Sequence, residues 1–152
     1  MTNLEVMFSS KNNDWSTPQD LYEELDNEFH FDIDLCANSN NTKCKNYFSE
    51  EDNSLIQDWE GFIGFCNPPY GRDIKNWVRK AYYEGSKPNT TIVMLIPART
   101  DTTYFHNYIY GKAEIRFIKG RLKFVGAKAS APFPSAIVIF NSAITPLKVL
   151  SY

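Results

Sequence analysis

Asn67-Pro68-Pro69-Tyr70 follows directly on the apolar run Phe62-Ile63-Gly64-Phe65-Cys66, which describes a strand ending in a rigid, polar loop with an aromatic tip. Each proline fixes its own φ at about −65° and drives the residue before it into extended geometry. The Asn67 side-chain oxygen and the Pro68 carbonyl can therefore be held together, and both are hydrogen-bond acceptors. That pair suits a planar amine. An exocyclic amino group on a purine or pyrimidine is a poor nucleophile because its lone pair is delocalised into the ring. Accepting both of its hydrogens draws the nitrogen toward tetrahedral geometry and localises the pair, which can then attack a methyl sulfonium. Tyr70 would supply a flat face for a base taken out of its helix.

A Pro-Pro pair after a strand can also be only a stiff loop, and an isolated Pro-Pro-Tyr is a peptide ligand for small aromatic-grooved domains. The preceding buried-type strand is what turns the four residues into a catalytic expectation.

The elements that must position this loop can be read from periodicity. Thr17-Pro18 reads as a helix N-cap with proline in the first turn, followed by Leu21, Leu25 and Phe29 on one face. Residues His30 to Ala37 alternate as a strand that delivers Asp34 to its carboxyl end. A polar loop from Asn38 to Lys45, a short strand near Tyr47 and Phe48, and a turn or short helix carrying Leu55, Ile56 and Trp59 come next. Asp73 reads as the cap of a helix in which Ile74, Trp77, Val78, Ala81 and Tyr82 form one apolar face. Thr91 to Ile96 reads as a buried strand of the parallel kind, Thr102 to Tyr110 as helical, and Ile115 to Ile118 and Ser135 to Phe140 as two further strands. This alternation predicts an α/β protein with helices on both faces of its sheet. Ligands of such sheets bind beyond the carboxyl ends of the strands, where Asp34, Asn67 and Arg99 fall.

Composition narrows the class. A chain of 152 residues fits one domain and buries about two thirds of its unfolded surface. Its apolar runs are far shorter than the roughly 20 residues a membrane helix needs, and Met1 to Ser10 lacks the basic and apolar regions of a secretion signal. Three cysteines (Cys36, Cys44, Cys66) without a Cys-x-x-Cys pair argue for reduced thiols in a cytoplasm and against a metal site. The net charge of −2 hides an asymmetry: residues 1 to 60 carry a balance of −11 and residues 61 to 152 one of +9. Lys112, Arg116, Lys119, Arg121, Lys123 and Lys128 concentrate the positive charge, as a phosphate-contacting surface requires. A solvated basic face is the plainer reading of the same residues.

Taken in order, Trp15 to Pro18, Phe31 to Ala37, Tyr47, Asp52 with Leu55 and Trp59, Asn67 to Gly71, Trp77, Leu95 to Asp101, Gly120 to Phe124 and Pro132 to Phe140 resemble the phage and prophage Dam family of DNA N6-adenine methyltransferases. The resemblance implies a Rossmann-like, S-adenosylmethionine-dependent methyltransferase fold with a mixed, mostly parallel sheet and a final antiparallel strand. It implies one domain over residues 1–152, with a core from about 15 to 140 and no separate target-recognition domain. Asn67, Pro68, Pro69 and Tyr70 match the catalytic motif. Trp15, Thr17, Pro18, Asp34, Cys36, Ala37, Asp52 and Asn67 are the implied cofactor contacts. There is no Gly-x-Gly loop after the first strand, so the loop from Asn38 to Lys45 must shape the pocket. Arg72, Arg99, Arg121 and Lys123 are candidates for DNA contact, the target being a flipped or single-stranded adenine, in the cytoplasm of a bacterial host if the chain is phage-encoded. Methylation of cytosine N4 or of a glutamine amide uses the same motif, and a non-catalytic DNA-binding module could retain the fold.

Overall fold

A computed structural model of the chain describes residues 15–143; the reading of Met1 to Ser10 falls outside them. Helix α1 spans Gln19–Phe29, strand β1 Ile33–Asp34, β2 Ile63–Cys66, helix α2 Ile74–Gly85, β3 Thr91–Pro97, β4 Glu114–Phe117 and β5 Ser135–Asn141. A 3-10 turn at Ser54–Ile56 and a π turn at Phe105–Ile109 complete the described elements.

The strands form one sheet in the order β1-β2-β3-β5-β4. β1, β2 and β3 run parallel, and β5 runs antiparallel to both of its neighbours. Two reversals leave β4 parallel to β3. The long stretches between the parallel strands are what such pairing requires, and α2 carries the chain from β2 to β3. β5 lies inside the sheet, and all but its last residue are buried. Its partner β3 is apolar after Thr91, with Ile92 to Ile96 fully buried, because both faces of this strand are covered.

Side chains alternate across a strand, so register assigns the faces. Phe65 meets Tyr22 of α1 edge to face at 5.3 Å. Its sequence neighbour Gly64 lies in register with Ile92 and, through it, with Phe140. That second face carries α2: a Cβ on Gly85 would collide with the Phe140 Cβ and lie 3.2 Å from its backbone. Helices therefore cover both faces. Among the described residues no helix is long and apolar enough to cross a membrane.

Four local expectations change. The alternating stretch from His30 to Ala37 yields a paired strand of two residues, since His30 is the left-handed cap of α1 (φ 57°) with its N–H on the Asp26 carbonyl. The short strand expected near Tyr47 is a single bridge to Asp34. The helix expected over Thr102 to Tyr110 is present, but it widens to the π form over Phe105–Ile109. α1 begins at Gln19 with Pro18 at the capping position and no side-chain cap, so Thr17 is not the N-cap.

Candidate active site

β2 ends at Cys66, and Asn67-Pro68-Pro69-Tyr70 leaves the sheet there as a segment outside any helix or strand. Gly71, at φ 128°, turns the chain toward α2, a conformation that side chains with a Cβ rarely adopt. A cavity of about 740 Å³ opens beside the motif, within the range of small-ligand sites. It is lined by Trp15, Ser16 and Thr17, by Asp34, Cys36, Ala37, Asn38, Asn41 and Lys43, and by Asn67, Pro68 and Pro69 beyond the carboxyl end of β2. Phe48, Ser49, Glu50, Asn53, Ser54 and Leu55 also line it, with Trp77 and Asp73 contributed at α2.

The Asn67 amide is fully engaged on one side only. Its Nδ2 donates to the Trp15 carbonyl and, at 3.0 Å, to Thr17 Oγ1. Its Oδ1 is buried and has no hydrogen-bond partner among the described residues. A buried, unpaired acceptor costs about 1–3 kcal/mol and calls for an explanation. No backbone N–H among the described residues reaches the Pro68 carbonyl. Both acceptors that the sequence assigned to an amine are thus unspent.

Asp34 ties the loop that stands where a glycine-rich turn was missing. Its Oδ1 accepts the Cys36 N–H at 3.2 Å and its Oδ2 the Lys43 N–H at 3.1 Å, so one carboxylate holds both ends of the segment. Burial pushes this carboxyl up to about 6, the two backbone donors and Lys43 opposing the shift. The Lys43 ammonium lies on Gln19 Oε1 at 2.8 Å. Asp34, Glu50 and Asp73 therefore leave the cavity lining predominantly acidic. Trp59, itself buried, positions the far wall: its Nε1 donates to the Ser54 carbonyl at 3.0 Å and its backbone N–H to buried Glu84 of α2 at 2.6 Å.

Three of the expected site residues stand apart from the cavity. Pro18 is not among its lining residues. Neither is Asp52, whose carboxylate accepts the Ser49 N–H at 2.7 Å and the Ser49 hydroxyl at 3.0 Å, bonds that hold it below the usual carboxylate range. It closes a local turn whose neighbours Ser49, Glu50 and Asn53 do the lining. Tyr70 presents no open face: it is buried, its hydroxyl donates to the Leu95 carbonyl at 3.1 Å, and Phe124 and Phe133 meet its ring edge-on at 6.3 and 5.7 Å. Trp15 packs against the same two phenylalanines at 5.3 Å.

Sequence reasoning missed Ser54, whose hydroxyl is buried and unpaired in the cavity wall; a serine in a short turn gives no signal of that kind. Arg72, Arg99, Arg121 and Lys123 are exposed, and none makes a side-chain hydrogen bond or ion pair among the described residues. Arg116 differs. It forks onto Glu28 with two bonds of 2.7 Å and onto Glu114 at 2.6 Å, which removes it from the cations available to a phosphate. Lys112 is also engaged, on the Asn107 carbonyl at 2.6 Å.

A mixed five-stranded sheet with helices of this kind fits a methyltransferase-like α/β fold. The family described as DNA N-6-adenine-methyltransferase (Dam) matches residues 6–152, and the chain belongs to that family. It is 33% identical over 114 residues to the DNA N-6-adenine-methyltransferase of Haemophilus phage HP1 (strain HP1c1), covering 73% of this chain and 65% of that protein. It is 35% identical over 111 residues to the protein of the same description from Escherichia phage T1, covering 71% of this chain and 45% of that one. A shorter match, 35% over 63 residues, is to the putative methyltransferase YfdM of Escherichia coli (strain K12), covering 37% of this chain and 69% of that protein. The matched segment spans less than two thirds of the length of the two phage relatives.

Proposed function

We propose that this chain methylates the N6 amine of adenine in DNA with S-adenosylmethionine as donor, acting as one Rossmann-like methyltransferase domain in the cytoplasm of a bacterial host cell. The observation that carries the reading is the buried, unpaired Oδ1 of Asn67 beside a cavity of about 740 Å³. An amine N–H is the donor this acceptor lacks, and the Pro68 carbonyl is suited to the second hydrogen.

The cavity suits the cofactor in charge as well as size. Asp34, Glu50 and Asp73 favour a cationic ligand, Trp15, Thr17, Cys36 and Ala37 would line its near side, and the Ser54 hydroxyl would find its missing partner there. When bound, the cofactor supplies a methyl group to the amine nitrogen as the carbon–sulfur electron pair returns to sulfur and the displaced proton leaves to water. Asn67 acts by orientation and by polarising the amine, not as a base, since a neutral amide does not hold a proton at neutral pH. Tyr70 receives the base ring once Phe124 and Phe133 part from it. Arg72, Arg99, Arg121 and Lys123 are free to neutralise phosphates.

The test is incubation of purified protein with isotopically labelled S-adenosylmethionine and unmethylated DNA, followed by nucleoside digestion and mass spectrometry. Label in N6-methyldeoxyadenosine is expected. Label only in N4-methyldeoxycytidine would redirect the substrate, and no label together with no cofactor binding would leave a non-catalytic DNA-binding module. Asn67→Ala is expected to lower the rate by about a hundredfold to a thousandfold, the range for removing one preorganised polar group, with the fold retained.

A further inference from the structure

We infer that Thr17, together with the Trp15 main-chain carbonyl, is a positioning residue that sets which way round the Asn67 amide stands. The inference rests on the reading of Asn67 as the group that holds the target amine. A primary amide is nearly symmetric in shape, so packing alone does not choose between its oxygen and its nitrogen. Hydrogen-bond partners do.

Here the partners are unequal. The Trp15 carbonyl can only accept, and it takes one Nδ2 hydrogen; Thr17 Oγ1, at 3.0 Å, takes the other. Both amide hydrogens are thereby spent, and Oδ1 is the atom left over. Turned by half a rotation, the amide would set its oxygen against the carbonyl lone pairs of Trp15 and offer an NH2 to an incoming amine, donor against donor. The Thr17 hydroxyl is available for this because it does not cap α1, although it stands immediately before Pro18 at the helix start. Its residue is buried, at 3% exposure, so water does not compete for the bond.

Thr17→Val removes the hydroxyl and keeps the shape, while Thr17→Ser keeps the hydroxyl. Single-turnover methyl transfer to DNA and cofactor affinity by calorimetry are measured on both, beside Asn67→Ala. The expected result is a loss of about tenfold in kcat for Thr17→Val, the upper end for one lost hydrogen bond, with cofactor Kd within about twofold and kcat largely restored in Thr17→Ser. Wild-type kcat in Thr17→Val, with Asn67→Ala inactive, overturns the inference and leaves the reading of Asn67 intact. A loss confined to cofactor affinity, with kcat unchanged, also overturns it, since Thr17 would then act only through the cofactor whose cavity it lines. Activity surviving in Asn67→Ala overturns the reading beneath it. Should Thr17→Val not fold, the wild-type protein decides by NMR: the Asn67 side-chain NH2, assigned by its disappearance in Asn67→Ala, is expected to be protected from exchange. Exchange as fast as that of an exposed asparagine overturns the inference.

Discussion

Asp34 couples the cavity to pH, and the coupling has a calculable size. Its carboxyl is held at about 6 against an ordinary value of 3.8, chiefly by burial. At 1.36 kcal/mol per pH unit this makes ionisation in the folded protein about 3 kcal/mol less favourable than in the unfolded chain. Because the folded value is the higher one, the folded state binds the proton more tightly. The stabilisation from protonated Asp34 is fully present below about pH 3.8 and is lost as pH rises through about 6. Asp34→Asn does not titrate. It keeps one acceptor for the Cys36 or Lys43 N–H and loses the other, an offset of about 1–3 kcal/mol that does not vary with pH. Denaturant unfolding of both proteins, without cofactor, from pH 4 to 7.5 isolates the effect, since the remaining carboxylates titrate alike in each. The stability difference, wild type minus Asn variant, is expected to fall by about 2 kcal/mol across this window, the remainder of the roughly 3 kcal/mol lying below pH 4. A cationic ligand reverses the preference by rewarding the ionised form, so wild-type cofactor affinity is expected to weaken below about pH 6 while that of Asp34→Asn does not. A stability difference that stays flat from pH 4 to 7.5 would refute the argument.

Two further outcomes follow from the second half of the chain. Replacing Arg121 and Lys123 together by Ala is expected to weaken DNA binding and to reduce the slope of log K against log salt by about one to two; fluorescence anisotropy over a salt series reads this, and an unchanged slope would remove both residues from the phosphate surface. Phe124→Ala deletes a ring that is 2% exposed and is expected to lower stability by about 3–5 kcal/mol. On the reading of Tyr70 as the stacking ring, Phe124 only packs against it, so Phe124→Ala is expected to retain more methyl transfer than Tyr70→Ala when both are assayed at a temperature where they remain folded. The reverse ranking would count against Tyr70 as the stacking ring.

The placement of Asn67 and of the apolar face of α2 was legible because the determinants are local. An apolar run followed by Asn-Pro-Pro-Tyr places Asn67 at a strand end whatever the rest of the chain does, and the apolar face of α2 announced both Trp77 and Val78. The features that were not legible depend on partners distant in sequence. Thr17 before Pro18 has every local mark of a helix cap, yet its hydroxyl serves an asparagine 50 positions away. Arg116 sits among free cations in the sequence, but its carboxylate partner Glu28 is 88 positions distant on α1. Asp52, by contrast, is set by a local partner: its Oδ2 accepts from Ser49, three residues away, and it is not among the residues lining the cavity. The alternation from His30 to Ala37 reported burial correctly and ladder length poorly, because period two describes which side chains face inward, not how many backbone groups find a neighbouring strand.

The charge asymmetry acquires a physical meaning from the same geometry. The acidic half contributes Asp34 and Glu50 to the cavity, and the cation among the lining residues, Lys43, directs its ammonium to Gln19. The basic half leaves Arg121 and Lys123 unpaired on either side of half-buried Leu122, immediately before the ring of Phe124 that covers Tyr70. Just beyond that ring the Val125 N–H donates to the Ser16 carbonyl at 3.0 Å. Ser16 lies between the two residues that hold the Asn67 amide. Trp15 to Thr17 is thus the stretch where the cation-bearing loop and the acidic cavity meet. A change that moves the loop away from Tyr70 must break or carry the Ser16 contact, so displacement of the cation-bearing loop is felt within one residue of the groups that hold the Asn67 amide.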